Sequence, residues 1–72
     1  MELTIETERE APGRWIAEVT QLSGVMVYGK TKAEAVRKAK DLARKVLADR
    51  LKHGEPIPGD LTFRSRAAQA TV

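Results

Sequence analysis

Gly24-Val25-Met26-Val27-Tyr28-Gly29-Lys30-Thr31 decides the fold, because it spells the phosphate-loop pattern G-x-x-x-x-G-K-[ST] in residues that suit a different backbone. A phosphate loop needs small, flexible residues between its glycines so that successive N–H groups curl around phosphate oxygens. Val25, Met26, Val27 and Tyr28 instead favour an extended, pleated chain. A phosphate loop also calls for a second strand ending in a magnesium-binding Asp. After Thr31 the one candidate strand is Leu61-Thr62-Phe63, and no carboxylate follows it. The stretch therefore reads as a strand, and nucleotide hydrolysis is not expected.

Working outward, Leu3, Ile5 and Thr7 alternate with Glu2, Thr4, Glu6 and Glu8, the period-two pattern of a strand with one apolar and one charged face. Ala11-Pro12-Gly13 is a turn. A second strand, Trp15 to Thr20, puts Trp15, Ala17 and Val19 on one side and Ile16, Glu18 and Thr20 on the other. Leu22-Ser23-Gly24 turns the chain into Val25–Tyr28. Thr31 and Glu34 then form a capping box, Thr31 binding the N3 amide and Glu34 reaching back to the cap's own N–H. The helix it opens runs from Lys32 to His53, with Val36, Ala39, Leu42, Ala43, Val46, Leu47 and Leu51 as its apolar stripe. Gly54 stops it in a left-handed conformation, and Pro56 and Pro58 block continuation. Glu55 to Asp60 is a stiff connector, and Leu61-Thr62-Phe63-Arg64 is a short fourth strand.

The order β-β-β-α-β predicts an α+β two-layer domain, an antiparallel sheet with one long helix on one face. Residues 1–64 are expected to form a single domain, and 65–72 a tail free to fray. A 72-residue domain buries only about 60% of the surface its unfolded chain exposes, so its stability is marginal without a supplement. With no cysteine, neither a disulfide nor a thiolate metal site can provide it, which leaves self-association or idealised packing. No basic, apolar leader opens the sequence and no apolar run approaches membrane-spanning length, so a cytoplasmic protein without membrane contact is expected.

The net charge of +3 hides an asymmetry. Residues 1–29 carry five glutamates against two arginines, a balance of −3, whereas residues 30–53 carry nine Lys or Arg against three acids, a balance of +6. Acidic strands followed by a basic helix imply two faces of opposite sign. If the helix covers the Leu3, Ile5, Ala17 and Val19 side, the other sheet face carries Glu6, Glu8, Ile16 and Glu18, joined by Met26 and Tyr28. Apolar residues ringed by carboxylates describe a contact surface for a partner or a second copy, with an ordinary solvated face as the alternative. Arg37, Lys38, Arg44, Lys45 and Lys52 on the helix invite a weak nucleic-acid reading, against which stand the interrupting Asp41 and Asp49 and the lack of an aromatic among the cations. A solvated, ion-paired helix surface is the plainer account.

No catalytic constellation stands out. His53, the one histidine, has no Cys or second His to complete a ligand set and sits suitably at the helix's negative end. Glu6 and Glu18, imagined as a magnesium-binding nuclease pair, fit a solvated strand face better. No metal, cofactor or enzymatic activity is expected.

Three pieces in order, Trp15-Ile16-Ala17-Glu18-Val19-Thr20-Gln21-Leu22-Ser23-Gly24-Val25, then Tyr28-Gly29-Lys30-Thr31-Lys32-Ala33-Glu34-Ala35, then Gly54-Glu55-Pro56-Ile57-Pro58, resemble the HicB-like antitoxin family. Members share a strand ending near a Leu-Pro-Gly-Cys turn, a Gly-Asp/Glu-Thr step into a Glu-Ala helix, and a Gly-x-Pro-Ile/Leu-Pro exit. Here Ser23 and Val25 stand at the Pro and Cys positions and Lys30 at the acidic one. The resemblance implies a partial ribonuclease-H-like fold and a noncatalytic module that neutralises a small basic toxin of the HicA kind, an mRNA-cleaving ribonuclease. Many members add a carboxy-terminal DNA-binding domain that represses their own operon. The present sequence has no segment for one, so operator binding is not expected of it.

Overall fold

In the computed structural model, which describes residues 1–55 and 61–67, the chain runs β1 (Glu2–Ala11), β2 (Arg14–Val19), β3 (Met26–Gly29), α1 (Lys32–Lys52) and β4 (Thr62–Ala67). Most of the expected connector, 56–60, and the end of the expected tail, 68–72, lie outside the described residues. The strands form one sheet in the order β3-β2-β1-β4, with α1 across one face, so the two-layer β-β-β-α-β arrangement read from the sequence is the one observed.

The sheet is mixed and not wholly antiparallel. β1 pairs antiparallel with β2, and β2 with β3, but β4 lies parallel to β1. The helix is the cause: it carries the chain from the end of β3 back across the sheet, so β4 starts from the same end as β1 and β3. The β1–β4 ladder also lengthens the fourth strand. It runs to Ala67, three residues past the expected end, with Arg64 opposite Thr4, Ser65 opposite Ile5 and Arg66 opposite Glu6. Residues 65–67, expected to belong to a tail, are therefore part of the strand.

Alternation along β1 buries Leu3, Ile5 and Thr7 beneath the helix, and β2 adds Ala17 and Val19. Leu22 and Val25 close the lower end, where the turn is tied by hydrogen bonds from Val19 N–H to the Val25 carbonyl and from Leu22 N–H to the Val19 carbonyl, 3.0 and 3.1 Å. Gly24 makes that turn possible at φ +82°. From α1 the core receives Ala35, Ala39, Ala43 and Leu47. The expected stripe was thus centred one row away: Val36, Leu42 and Val46 flank the buried line, and Leu51 is 57% exposed. Three alanines on the contact line hold the helix backbone close to the sheet, which is why the bulkier residues fall to either side.

The helix begins and ends as its sequence dictates. Thr31 Oγ accepts from the Glu34 N–H at 3.1 Å. The Glu34 carboxylate reaches back to the N–H of Lys30 at 3.5 Å, one residue earlier than the expected partner. At the other end Gly54, at φ +80°, donates to the Leu51 carbonyl, and Glu55 N–H donates to that of Arg50, the paired bonds of a Schellman stop. His53 is the cap residue, its ring Nδ1 2.8 Å from the Asp49 carbonyl oxygen.

Gly29, the last residue of β3, lies directly under the first turn of α1. A methyl group there would meet the Ala35 backbone nitrogen at 2.6 Å and its Cα at 3.0 Å. Gly29→Ala is expected to destabilise the domain by about 1–3 kcal/mol, since backbone and not a flexible side chain must yield. Urea denaturation followed by circular dichroism checks this. An unchanged midpoint would show that the helix start is loosely seated.

Candidate protein-binding face

The side of the sheet away from α1 is open, and the registers place all six residues expected there on it. Glu6 stands opposite Glu18, and Glu18 opposite Met26; one step along, Glu8 stands opposite Ile16, and Ile16 opposite Tyr28. Met26 and Tyr28 are 48% and 42% exposed, and Ile16 is half-buried between its neighbours. The result is an apolar strip, Ile16-Met26-Tyr28, on β2 and β3, bordered by the Glu8 and Glu18 carboxylates.

Three arginines that the sequence reading did not assign also reach this face. Arg66 pairs with Glu6 at 3.5 Å and Arg64 with Glu2 at 3.9 Å, both from β4. Arg14 pairs with Glu10 at 3.3 Å and places its guanidinium carbon 4.5 Å from the Tyr28 ring centre. Exposed pairs of this kind contribute about 0–1 kcal/mol each, so their main effect is on surface charge. Arg66 also relieves the like-charge contact of Glu6 with Glu18 across the ladder. Of the two carboxylates imagined as a nuclease pair, Glu6 is in a salt bridge with Arg66 and Glu18 is in none among the described residues. Glu8 and Glu18 make no ion pair or side-chain hydrogen bond among the described residues. The one signal in the sequence was the alternation Thr62/Arg64/Arg66 against Phe63/Ser65/Ala67, which becomes readable only once β4 is known to lie beside β1.

Around Gly29-Lys30-Thr31 the phosphate-loop resemblance dissolves into local structure. Met26 to Gly29 is strand, Thr31 caps the helix, and Glu34 places a carboxylate where a phosphate would sit. Lys38 Nζ lies 3.2 Å from Glu34 and also donates to the Tyr28 carbonyl at 3.2 Å, covering part of the β3 edge. The Lys38 ammonium, followed by the Lys30 N–H, holds the Glu34 carboxyl below the usual glutamate range.

The five helix cations considered for nucleic acid do not form one patch. Lys38 turns toward β3; Arg44 pairs with Asp41 at 3.4 Å and lies 5.4 Å from the Phe63 ring centre on the β4 side. Lys45 and Lys52 point to solvent, and Arg37 lines a concavity beside Val36. Among the described residues no helix is long and apolar enough to cross a membrane. The chain matches no family model, no curated relative and no solved structure.

Because its folded-state pKa is lowered, Glu34 contributes stability above the ordinary glutamate range and loses it as pH falls through the depressed value. Glu34→Gln is expected to be less stable than the parent at neutral pH, with the gap closing as pH falls below the ordinary glutamate range. Thermal melts of both proteins across that range test the assignment. A gap that stays constant with pH would place the effect in packing, not charge.

Proposed function

We propose that this chain is a noncatalytic, self-associating protein-binding module of the antitoxin type, acting in the cytoplasm on a small basic ribonuclease of the HicA kind. The observation that carries this reading is the open face, where the Ile16-Met26-Tyr28 strip, with Met26 and Tyr28 exposed, adjoins two carboxylates, Glu8 and Glu18, that have no partner among the described residues. A basic partner would supply cations to both carboxylates while covering the apolar strip, the arrangement of an interface with an apolar centre and a charged border. The sequence resemblance to HicB-like antitoxins supports the class of partner. So does the fold order, which is the one that resemblance implies.

The economy of the core supports self-association. Among the described residues ten aliphatics form its buried cluster, and four of them are alanine, which contribute less than the ~1.5–3 kcal/mol of a larger buried aliphatic. Covering the open face with a second copy would bury the strip when no other partner is present, so the two uses of the face would compete.

Coexpression with such a ribonuclease is expected to relieve its toxicity and to yield a copurifying complex. Reversing the free carboxylates, Glu8→Arg with Glu18→Arg, is expected to weaken that complex by at least about tenfold, read by titration calorimetry. An unaffected ribonuclease, or a complex indifferent to the reversal, would sink the reading. Sedimentation at micromolar concentration tests self-association separately: a monomer throughout would remove that part.

A further inference from the structure

On the helix side of the molecule, α1 covers β1, β2 and β3 but leaves β4 beside it. Beyond Phe63, the residues of β4 that share the helix-facing side are Ser65 and Ala67, both small and both exposed. Along this flank of α1 runs a concavity of about 550 Å3 lined by Lys32, Ala33, Val36, Arg37, Lys40 and Arg44. Four of its six described lining residues are cations, and no carboxylate is among them. Its apolar part is the Ala33 methyl and the Val36 side chain.

The cations here are partly fixed in place. Lys40 Nζ and the Arg44 guanidinium lie 5.7 and 5.4 Å from the Phe63 ring centre, within cation–π range, so an aromatic residue from β4 holds two of the four at the edge of the groove. Asp41 pairs with Arg44 from the rim, while Lys32, Arg37 and Lys40 make no ion pair among the described residues. Along the helix axis the successive cations are separated by about 7.5, 4.5 and 6 Å at 1.5 Å per residue.

We propose that this groove binds single-stranded nucleic acid, its cations tracking the phosphodiester backbone and its Ala33–Val36 floor receiving the flat face of a base or the sugar edge. Charge complementarity selects the ligand: several like charges in line, with apolar area between them, match a strand that carries one anion at every step beside an uncharged ring. The groove is open along its length, as a chain ligand requires. An acidic protein segment would meet the same cations but brings carboxylates at irregular spacing, and it is the alternative that the test excludes. The site lies in the layer opposite the Ile16-Met26-Tyr28 strip and does not depend on that surface, so either assignment can fail without the other.

The experiment is fluorescence anisotropy of a labelled oligouridine of about twelve nucleotides, titrated with the full chain over a range of salt. Binding is expected to weaken with salt, with a log–log slope of about −2 to −3 for three or four phosphates engaged. Arg37→Glu with Lys40→Glu is expected to weaken it at least about tenfold, and Arg37→Glu alone, at an exposed position, by about threefold or more. Lys45→Glu with Lys52→Glu makes the same change in net charge away from the groove and is expected to change affinity by about twofold or less. Circular dichroism establishes that each variant is folded. Equal loss in both double variants would reduce the effect to net charge and overturn the site. Equal or tighter binding of polyglutamate, or of duplex DNA of the same length, would overturn the choice of ligand, as would no binding of oligouridine at low salt.

Discussion

Everything in this fold depends on how closely α1 approaches the end of β3. Gly29 has no side chain at the point where the Ala35 backbone lies over it, and Ala35, Ala39 and Ala43 continue the close contact down the helix. With backbones this near, the core holds few large side chains. Among the described residues Leu3, Ile5, Val19 and Val25 are its largest fully buried members. Tight approach of small residues gives good packing density but little buried area per residue. The glycine of the apparent phosphate loop is therefore a packing device, and Thr31 with Glu34 completes the same joint by satisfying the first amides of the helix.

That joint also decides which surfaces remain uncovered. A single helix seated at β3 spans three strands, and β4 extends past it on the far side. One layer of the molecule keeps an open sheet face with an apolar strip and carboxylates; the other keeps a cationic groove along the helix flank that lies toward β4. The charge asymmetry along the chain becomes a spatial one because residues 1–29 supply three strands of the sheet and residues 30–53 supply the helix. The helix layer is strongly basic, whereas on the sheet Arg64 and Arg66 of β4 offset part of the acidity of β1, so the two layers present different chemistry to ligands approaching from either side.

Much of this was legible from period and punctuation. The alternation in Leu3–Thr7 and Trp15–Val19, the β-branched run before Gly29, the Thr31/Glu34 pair and the Gly54 stop all act within a few residues, so each declares itself locally. What was not legible comes from the one long-range strand pairing. The parallel register of β4 on β1 sets Arg66 beside Glu6 and Phe63 beneath Lys40 and Arg44, and nothing within Leu61–Ala67 encodes its partner. The absence of an aromatic among the helix cations was correct for the helix and wrong for the surface, since the ring arrives from another element. Leu51 misled for a related reason. It continues the helical spacing of the stripe yet is 57% exposed, and periodicity carries no information about where the covered surface stops.

The late pairing of β4 also divides the open face in two. On the β4–β1 half, Arg64 and Arg66 lie against Glu2 and Glu6, so a cation arriving there must displace a charge already in place, with little net electrostatic gain. On the β1–β2–β3 half, Glu8 and Glu18 have no such neighbour among the described residues, and the exposed apolar area lies beside them. Desolvating that half removes apolar surface from water and leaves two carboxylates that must be paired to offset their dehydration. A partner with apolar residues alone would strand the carboxylates, and one with cations alone would leave the strip wet. The face therefore discriminates by requiring both at once, and its discriminating portion is centred on Ile16, the residue with Glu8 across one ladder and Tyr28 across the other.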